Sequence, residues 1–202
     1  MSPPLTTGED GLARCWWGAS TPDYVVYHDT EWGRPVTDDR DLFERLTLEA
    51  FQSGLSWLTI LRKREGFRAA FAGFEIERVA AFGERDFERL MADASIVRNR
   101  LKIEAAIANA RALAAMHRAG ESLTELVWAQ RLASPLPAPV TLGDLPASTA
   151  GSKQLAKQLK ARGFRFVGPT TMYAAMQACG VVNDHLAGCF ARDEVERLRQ
   201  LV

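Results

Sequence analysis

The feature that most constrains the fold is a pair of Cys/His sites at opposite ends of the chain. Cys15 and His28 lie near the N-terminus with twelve residues between them, and His185 and Cys189 lie near the C-terminus. Residues at i and i+4 share one face of a helical turn, so His185 and Cys189 can bind one ion together. Two Cys and two His fill a tetrahedral zinc shell and leave no position for water. The pattern therefore predicts a structural zinc that joins the two ends of the chain.

A simpler alternative is that these cysteines are small buried side chains and that the histidines form local hydrogen bonds. The remaining Cys179 ends an apolar run and is predicted to lie in the core. His117 ends a long helix, where a positively charged side chain interacts favourably with the negative end of the helix dipole. An odd count of three cysteines argues against a disulfide framework and for a reducing compartment.

The composition is that of a single globular domain spanning residues 1–202, in which 1–13 and 190–202 are expected to be peripheral. No apolar run is long enough to span a bilayer, and the N-terminus does not resemble a signal peptide, so the protein is expected to be cytoplasmic. The 25 basic and 25 acidic residues cancel. Net charge therefore gives no indication of a nucleic-acid partner, and nothing indicates an obligate protein partner, so a monomer is expected.

Apolar residues recur at helical spacing through most of the sequence. Helices are predicted at 39–52, from Trp57 onward, as two short segments within 75–92, and at 98–118, 122–131, 149–161, 168–179 and 193–201. Only residues 24–28 carry enough β-branched side chains to suggest a strand, and the predicted fold class is all-α. Residues 133–146 contain four prolines and are expected to form a rigid surface loop.

A basic, glycine-containing turn separates the two predicted helices at 149–161 and 168–179. Gly163 through Thr170 form this turn, and Pro169 suits the first turn of the second helix. Exposed N–H groups at a helix N-terminus favour a phosphate oxygen, and cations surround the turn. These cations are Lys157, Lys160, Arg162 and Arg165. The alternative is an ordinary helical hairpin with a solvated basic face.

An aromatic and carboxylate cluster forms the third feature. It consists of Trp16, Trp17, Tyr24, Tyr27, Glu31 and Trp32 near the N-terminus, followed by Glu49 and Trp57. Aromatic rings can stack on a nucleobase, and a carboxylate can accept hydrogen bonds from its edge. The alternative, favoured for Trp16 and Trp32, is that the rings pack a core. Glu49 lies among apolar helical positions, where burial of a carboxylate is unfavourable unless it has a partner or a function.

Four segments of the chain closely resemble the bacterial 3-methyladenine DNA glycosylase I family of the helix-hairpin-helix superfamily. They are RCWW at 14–17, YVVYHDTEWG at 24–33, LTLEAFQSGLSWLTILRKRE at 46–65 and GFRFVGPTTMYAAMQACGVVNDH at 163–185. The resemblance extends from Arg14 to Cys189. It implies an all-helical helix-hairpin-helix fold, a structural zinc on the four Cys and His ligands named above, and double-stranded DNA containing alkylated bases as the partner.

The resemblance also implies roles for individual residues. Tyr27 and Glu49 match the catalytic positions that hydrogen-bond the lesion base, and Trp57 matches the ring that stacks on it. Tyr24 and Trp17 match further pocket positions. Leu55 matches the loop that enters the duplex. The resemblance places the hairpin on the basic turn described above, where the candidate DNA-binding residues are Lys160, Gly163, Arg165, Gly168 and Thr170. The implied reaction is the flipping and hydrolytic removal of 3-methyladenine.

One position departs from the wider superfamily, in which a catalytic aspartate often precedes a histidine by two residues. Here Asn183 stands at that position. Asp184 is one step out of register and is expected to cap the next helix or to orient His185. No lysine stands out as a nucleophile, so a monofunctional enzyme without strand cleavage is expected. Two alternatives are a module that binds damaged DNA without chemistry and a zinc-dependent hydrolase.

Overall fold

The computed structural model describes residues 4–132 and 137–202, and this part of the chain is mostly helical. The predicted fold class was all-α; the described residues are mostly helical and include one two-stranded sheet. The strands and helices are β1 (Leu5–Thr7), β2 (Ala13–Cys15), α1 (Pro22–Thr30), α2 (Asp39–Gln52), α3 (Trp57–Ala70), α4 (Ile76–Ala80), α5 (Glu84–Ala92), α6 (Arg100–Arg118), α7 (Leu123–Trp128), α8 (Ala150–Ala161), α9 (Pro169–Ala178) and α10 (Arg192–Arg199).

Local capping explains where the main helices begin. The Asp38 carboxylate accepts hydrogen bonds from Arg40 N and Asp41 N and starts α2 at the predicted residue. The Asn99 side chain accepts from Lys102 N at the start of α6, and Thr149 caps α8. Of the proline-rich loop predicted at 133–146, residues 133–136 lie outside the described residues, and Leu142–Asp144 form a short 3-10 helix. Within 4–132 and 137–202, no helix has both the length and the apolar character needed to cross a bilayer.

The N-terminal region differs from the sequence prediction. Residues 24–28 lie in α1 and do not form a strand, because the Thr21 hydroxyl accepts from Tyr24 N and Pro22 occupies the first turn. Strands β1 and β2 form an antiparallel pair in which Leu5 is opposite Cys15. This hairpin was not predicted, since the three-residue strands are too short to show alternation.

The expectation that residues 190–202 are peripheral is wrong for α10. Val195 and Arg199 on this helix are buried. The Arg199 guanidinium donates to Gly180 O at 2.6 Å and to Val181 O at 2.8 Å. A guanidinium has five donors, so it can satisfy several carbonyls at the end of another helix. Arg199 thereby fixes α10 to the segment that follows α9.

The larger hydrophobic core is built on phenylalanines from α2, α3 and the turn after α3. Phe43, Phe51, Phe67, Phe71 and Phe74 are fully buried, and Phe71 stacks on Phe74 with ring centroids 5.7 Å apart. A second, smaller cluster contains Cys15, Leu186, Cys189 and Ala191. The candidate functional site lies between these two cores.

The segment after α1 runs against the end of α9. Gly33 N donates to Ala178 O, and Val36 N donates to Cys179 O. Gly180 makes this approach possible: its φ is +77°, and a Cβ atom there would lie 2.5 Å from Gly33 O. Only glycine tolerates both the left-handed conformation and this backbone contact.

Replacing Gly180 by Ala is therefore expected to reduce the free energy of unfolding by about 3 kcal/mol. Urea denaturation followed by circular dichroism measures the loss. Gly143→Ala is the matched control, because the nearest atom to its added Cβ is Thr141 Oγ1 at 3.5 Å and its φ is not positive. Equal stabilities of the two variants would contradict the packing described here.

Candidate active site

An open cavity of about 210 Å³ lies between α1, α2, α3 and α9. It is lined by Trp17, Tyr24, Tyr27, Trp32, Glu49, Gln52, Trp57, Ala174 and Gln177. The structure thus brings together all five residues that the sequence assigned to catalysis or base binding. It adds Trp32, Gln52, Ala174 and Gln177, which were not predicted to line the pocket.

The aromatic rings are fixed by contacts with one another and with the backbone. The Trp17 ring packs edge-on against Tyr24 and Trp32, with centroids 5.6 and 5.0 Å away. The Tyr24 hydroxyl accepts a hydrogen bond from Leu58 N at 3.1 Å. This bond satisfies one of the free N–H groups in the first turn of α3, the turn that begins with Trp57. The Trp57 ring lies 5.4 Å from Tyr27.

Glu49 lies on α2 and is 6% exposed. No described residue donates a hydrogen bond to its carboxylate. Burial raises the pKa of Glu49 to about 8, and the Arg45 guanidinium only partly opposes this shift. A buried carboxylate that faces a cavity without a partner can accept hydrogen bonds from a ligand or stabilise a ligand's positive charge.

Tyr27 lies on α1 and is also buried, next to Trp57. Burial and the neighbouring Glu49 raise the pKa of its hydroxyl well above the ordinary value. Tyr27 therefore keeps its proton at neutral pH. A protonated phenol can donate one hydrogen bond to a ring nitrogen of a bound base and so fix its orientation.

The four predicted metal ligands come together next to Trp17 and Trp32, two rings that form the aromatic wall of the cavity. The ligand atoms of Cys15, His28, His185 and Cys189 all lie within 4.8 Å of one another, and all four residues are buried. Cys189 Sγ lies 3.4 Å from His28 Nε2 and 3.5 Å from His185 Nδ1. Zinc bonds of about 2.3 Å to sulfur and about 2.0 Å to nitrogen imply S···N separations of about 3.5 Å in a tetrahedron. The donor set fits a metal ion of this type.

The outer ring nitrogens of both histidines are also occupied. His28 Nδ1 contacts Asp29 Oδ1 at 2.8 Å, and His185 Nε2 contacts Trp32 O at 3.1 Å. Arg14 in turn donates to both Asp29 oxygens. Hydrogen bonds of this kind set the tautomer and orientation of metal-binding imidazoles.

The metal cluster and the cavity share a wall. The Trp17 ring lies 5.3 Å from His28, and the Trp32 ring lies 4.6 Å from His185. Trp32 therefore both lines the cavity and packs on a candidate metal ligand. Trp16 was predicted to pack in a core, but it is 37% exposed. Holding the histidines in place also holds the aromatic side of the cavity.

Helices α8 and α9 are joined by the predicted basic turn. Lys160, Gly163, Arg165 and Thr170 are exposed on it, Gly168 precedes the first residue of α9, and Pro169 occupies the first turn. Gly163 has a φ of +90°, as expected for the residue that ends a helix. The start of α9, where N–H groups lack helical partners, therefore lies in the same exposed turn as these cations.

The residue that fixes this turn was missed from the sequence. The buried Asn109 amide of α6 accepts from Arg165 N at 2.7 Å and donates to Arg165 O at 3.1 Å. It therefore replaces a backbone partner for the turn. The sequence gives one signal for this contact: an asparagine within an alanine-rich helix is expected to be buried only if its amide has a hydrogen-bond partner.

The Leu55 loop follows α2 directly beside the cavity. Leu55 is 40% exposed, and Gly54 before it has a φ of +82°. Lys102, which is buried at the start of α6, donates to Phe51 O at 2.8 Å and to Ser53 O at 2.5 Å. The lysine caps α2 and anchors the loop, a role that sequence analysis did not assign.

The two residues near the superfamily's aspartate position lie outside the cavity. The Asn183 amide donates to Arg192 O and Glu196. Asp184 accepts from the Tyr173 hydroxyl at 2.5 Å and from Gln177 at 2.8 Å. The next helix has Ala191 as its N-cap, and no described hydrogen bond joins the Asp184 carboxylate to His185, so both roles expected for Asp184 are wrong.

Cys179 and His117 are the cysteine and the histidine that do not belong to the metal cluster. Cys179 is buried in the larger core, as predicted. His117 lies in the last turn of α6, and its ring also contacts Asp39 Oδ2 at 2.7 Å. Asp39 accepts from Leu123 N and Thr124 N as well, so this carboxylate joins the starts of α2 and α7 to the end of α6.

The fold and the cavity define a helical protein with an aromatic pocket suited to a flat, cationic ligand. The sequence profile of the methyladenine glycosylase family matches residues 16–192. The DNA-3-methyladenine glycosylase 1 of Escherichia coli (strain K12) is 50% identical over 179 residues, which cover 88% of this chain and 96% of that protein. The chain belongs to the methyladenine glycosylase family.

Solved structures agree with this assignment. A crystal structure of 3-methyladenine DNA glycosylase I superimposes with a TM-score of 0.85 at 50% identity, covering 89% of this chain and 99% of that chain. A variant of 3-methyladenine DNA glycosylase I in complex with 3-methyladenine gives a TM-score of 0.83 at 36% identity, covering 89% and 97%.

Proposed function

We propose that this protein is a base-excision repair glycosylase that removes 3-methyladenine from alkylated double-stranded DNA. The observation that carries the proposal is the buried, unpartnered Glu49 carboxyl facing an aromatic cavity. Family membership supports the reaction class. As a monomer in the cytoplasm, the protein would need no partner other than the damaged duplex.

The chemistry depends on the positive charge of the lesion. Methylation at N3 makes the base cationic, so breaking the C1′–N9 bond returns its electron pair to the base and releases neutral 3-methyladenine. Water adds to C1′ and loses a proton, leaving an abasic site. Ionised Glu49 stabilises the bound cation, Trp57 adds a cation–π interaction of about 0.5–2 kcal/mol, and Tyr27 fixes the register of the base.

The lesion must leave the base stack to reach this pocket. Flipping costs a few kcal/mol and less for a damaged base that pairs poorly. We assign Leu55 to the space that the flipped base vacates, because it is exposed on a loop anchored by Lys102 beside the cavity. The turn between α8 and α9 acts as the helix-hairpin-helix element and binds phosphates through its N–H groups and cations.

Replacing Lys160 and Arg165 together by Ala is expected to weaken binding to undamaged and damaged duplexes alike. Each lost phosphate contact should reduce the slope of log K against log salt by about 1. Fluorescence anisotropy at several salt concentrations measures this slope. The control is Arg85→Ala, which removes an exposed cation from α5. An unchanged slope in the double variant would exclude this surface as the phosphate site.

We propose zinc as the ion held by Cys15, His28, His185 and Cys189. A bound zinc would supply a rigid, closed cross-link between the two ends of the chain. The chain's own contribution is the support of the ligands by Asp29 and Trp32 O. The reaction itself is carried by the pocket residues.

We also propose that the enzyme is monofunctional. No lysine lines the cavity as described, and the buried Lys102 amine is bound to two carbonyl oxygens. An amine nucleophile is required for cleavage through a Schiff base.

The test uses duplex DNA treated with a methylating agent. Mass spectrometry should identify free 3-methyladenine, and a denaturing gel should show intact strands until alkali cleaves the abasic sites. Salt-dependent binding without base release would favour the binding module instead. Strand cleavage without alkali would contradict the monofunctional assignment.

A further inference from the structure

A partly buried charge cluster on the helices that line the cavity has no part in the proposed chemistry. Glu31 follows α1, and two arginines share its carboxylate. Arg45 Nη2 of α2 donates to Glu31 Oε2 at 2.5 Å, and Arg64 Nη1 of α3 donates to the two Glu31 oxygens at 2.7 and 2.6 Å. The three side chains are between 13% and 22% exposed.

The position of Arg45 relative to Glu49 raises a specific problem. The two residues are four apart on α2, so they lie one above the other on the same face of the helix. An arginine and a glutamate at this spacing ordinarily attract each other. Here no hydrogen bond joins them among the described contacts, and Arg45 Nη1 is buried without a described partner. The orientation of Arg45 is therefore determined by Glu31.

We propose that Glu31 is a positioning residue that holds the Arg45 guanidinium away from the Glu49 carboxyl. If Arg45 paired with Glu49, the pair would be neutral, and the pocket would offer no free negative charge to a cationic base. With Arg45 paired to Glu31, Glu49 stays available to the ligand. The consequence for catalysis depends on the proposed glycosylase function.

The charges that face Glu49 are few. Arg45 comes from its own helix, Tyr27 comes from α1, and Cys179 follows α9, while the Glu31 carboxylate after α1 lies near Tyr27. Burial raises the pKa of Cys179 to about 12 and also raises that of Tyr27, so both are neutral near pH 7. Arg45 is therefore the nearest charge that can lower the pKa of Glu49, and Glu31 determines how strongly it does so.

The test is a 13C NMR titration of Glu49 in the free protein, which does not depend on activity. In Glu31→Gln, the released Arg45 is expected to pair with Glu49 and to lower its pKa by at least about one unit. In the double variant Glu31→Gln with Arg45→Met, the pKa is expected to return to the wild-type value or above. The single variant Arg45→Met should change it less than Glu31→Gln does.

Base release supplies the second readout. Glu31→Gln is expected to slow single-turnover release by about tenfold, and adding Arg45→Met should restore most of the rate. If Glu31 is only structural, the pKa of Glu49 stays constant and the double variant is no faster, which overturns the proposal. Should Glu31→Gln fail to fold, Glu31→Asp keeps both charges while loosening Arg45, and the same direction of shift is expected. A shifted pKa without any base release in the wild type would refute the proposed function and not this inference.

Discussion

Replacing Glu49 by Gln is expected to slow the release of 3-methyladenine by about 10²–10³-fold. Glutamine keeps the size of the side chain and a hydrogen-bond acceptor, but it removes the negative charge. The cation in the pocket then loses its main electrostatic stabilisation in a site from which most water is excluded. Single-turnover kinetics with saturating enzyme measure the chemical step directly.

Glu44→Gln is the matched control for this variant. Glu44 is another buried carboxylate of α2, but its oxygens accept from Arg68 Nε at 2.9 and 3.1 Å, and it does not line the cavity. Its loss is expected to reduce stability while leaving the release rate within about twofold of wild type, since neutralising one partner leaves the other charge less well compensated. If both variants lost activity equally, the loss would come from neutralising any buried carboxylate of α2. That result would contradict the specific role proposed for Glu49.

The raised pKa of Glu49 makes a linked prediction about pH. If the ionised form is the active one, as proposed, kcat/KM should increase with pH up to about 8, the pKa of this group in the free enzyme. Stability should change in the opposite direction. The folded state holds a proton that the unfolded state releases near pH 4.5, so the free energy of unfolding falls as pH rises from 4.5 to about 8. In urea denaturation, Glu49→Gln should therefore gain more stability over wild type at pH 8 than at pH 5.

Removing the proposed zinc is expected to have the second largest effect. A chelator, or Cys189→Ala, should lower the free energy of unfolding by several kcal/mol, because the proposed ion would hold together segments that are 170 residues apart in sequence. The aromatic wall should loosen as well, since Trp17 and Trp32 pack on the candidate ligands. Metal analysis and thermal melting measure the two effects.

Cys179→Ala is the control for the metal site. This thiol is buried in the larger core and is not part of the ligand cluster. The variant should keep one zinc per chain and lose far less stability than Cys189→Ala. A chelator that abolished base release and left the melting temperature unchanged would indicate a catalytic metal and contradict the structural assignment.

The structural features that could be predicted from the sequence are those with a short-range signal. Helix α2 was predicted at its observed bounds because an aspartate cap precedes a clear helical period. The Cys and His ligands were recognisable because their chemistry limits what they can do together. Glu49 could be identified as a candidate functional residue because burying a carboxylate among apolar helical positions is unfavourable.

The parts that were missed depend on contacts between distant segments. Lys102, Asn109 and Arg199 each donate to backbone carbonyls of another element, and nothing adjacent in sequence indicates that partner. The pairing of Glu31 with Arg45 is of the same kind. Helix α1 was not predicted because its β-branched residues are typical of a strand. The Thr21 cap, Pro22 in the first turn and the packing of the segment make it helical.

We propose that the buried, ionisable Glu49 in the aromatic pocket selects a base because the base is cationic. Single-turnover release can be compared for two duplexes that differ only in the target base, one carrying 3-methyladenine and the other uracil. The wild-type enzyme should release 3-methyladenine and leave uracil in place. Release of both bases at similar rates would contradict the selection of cationic bases by Glu49.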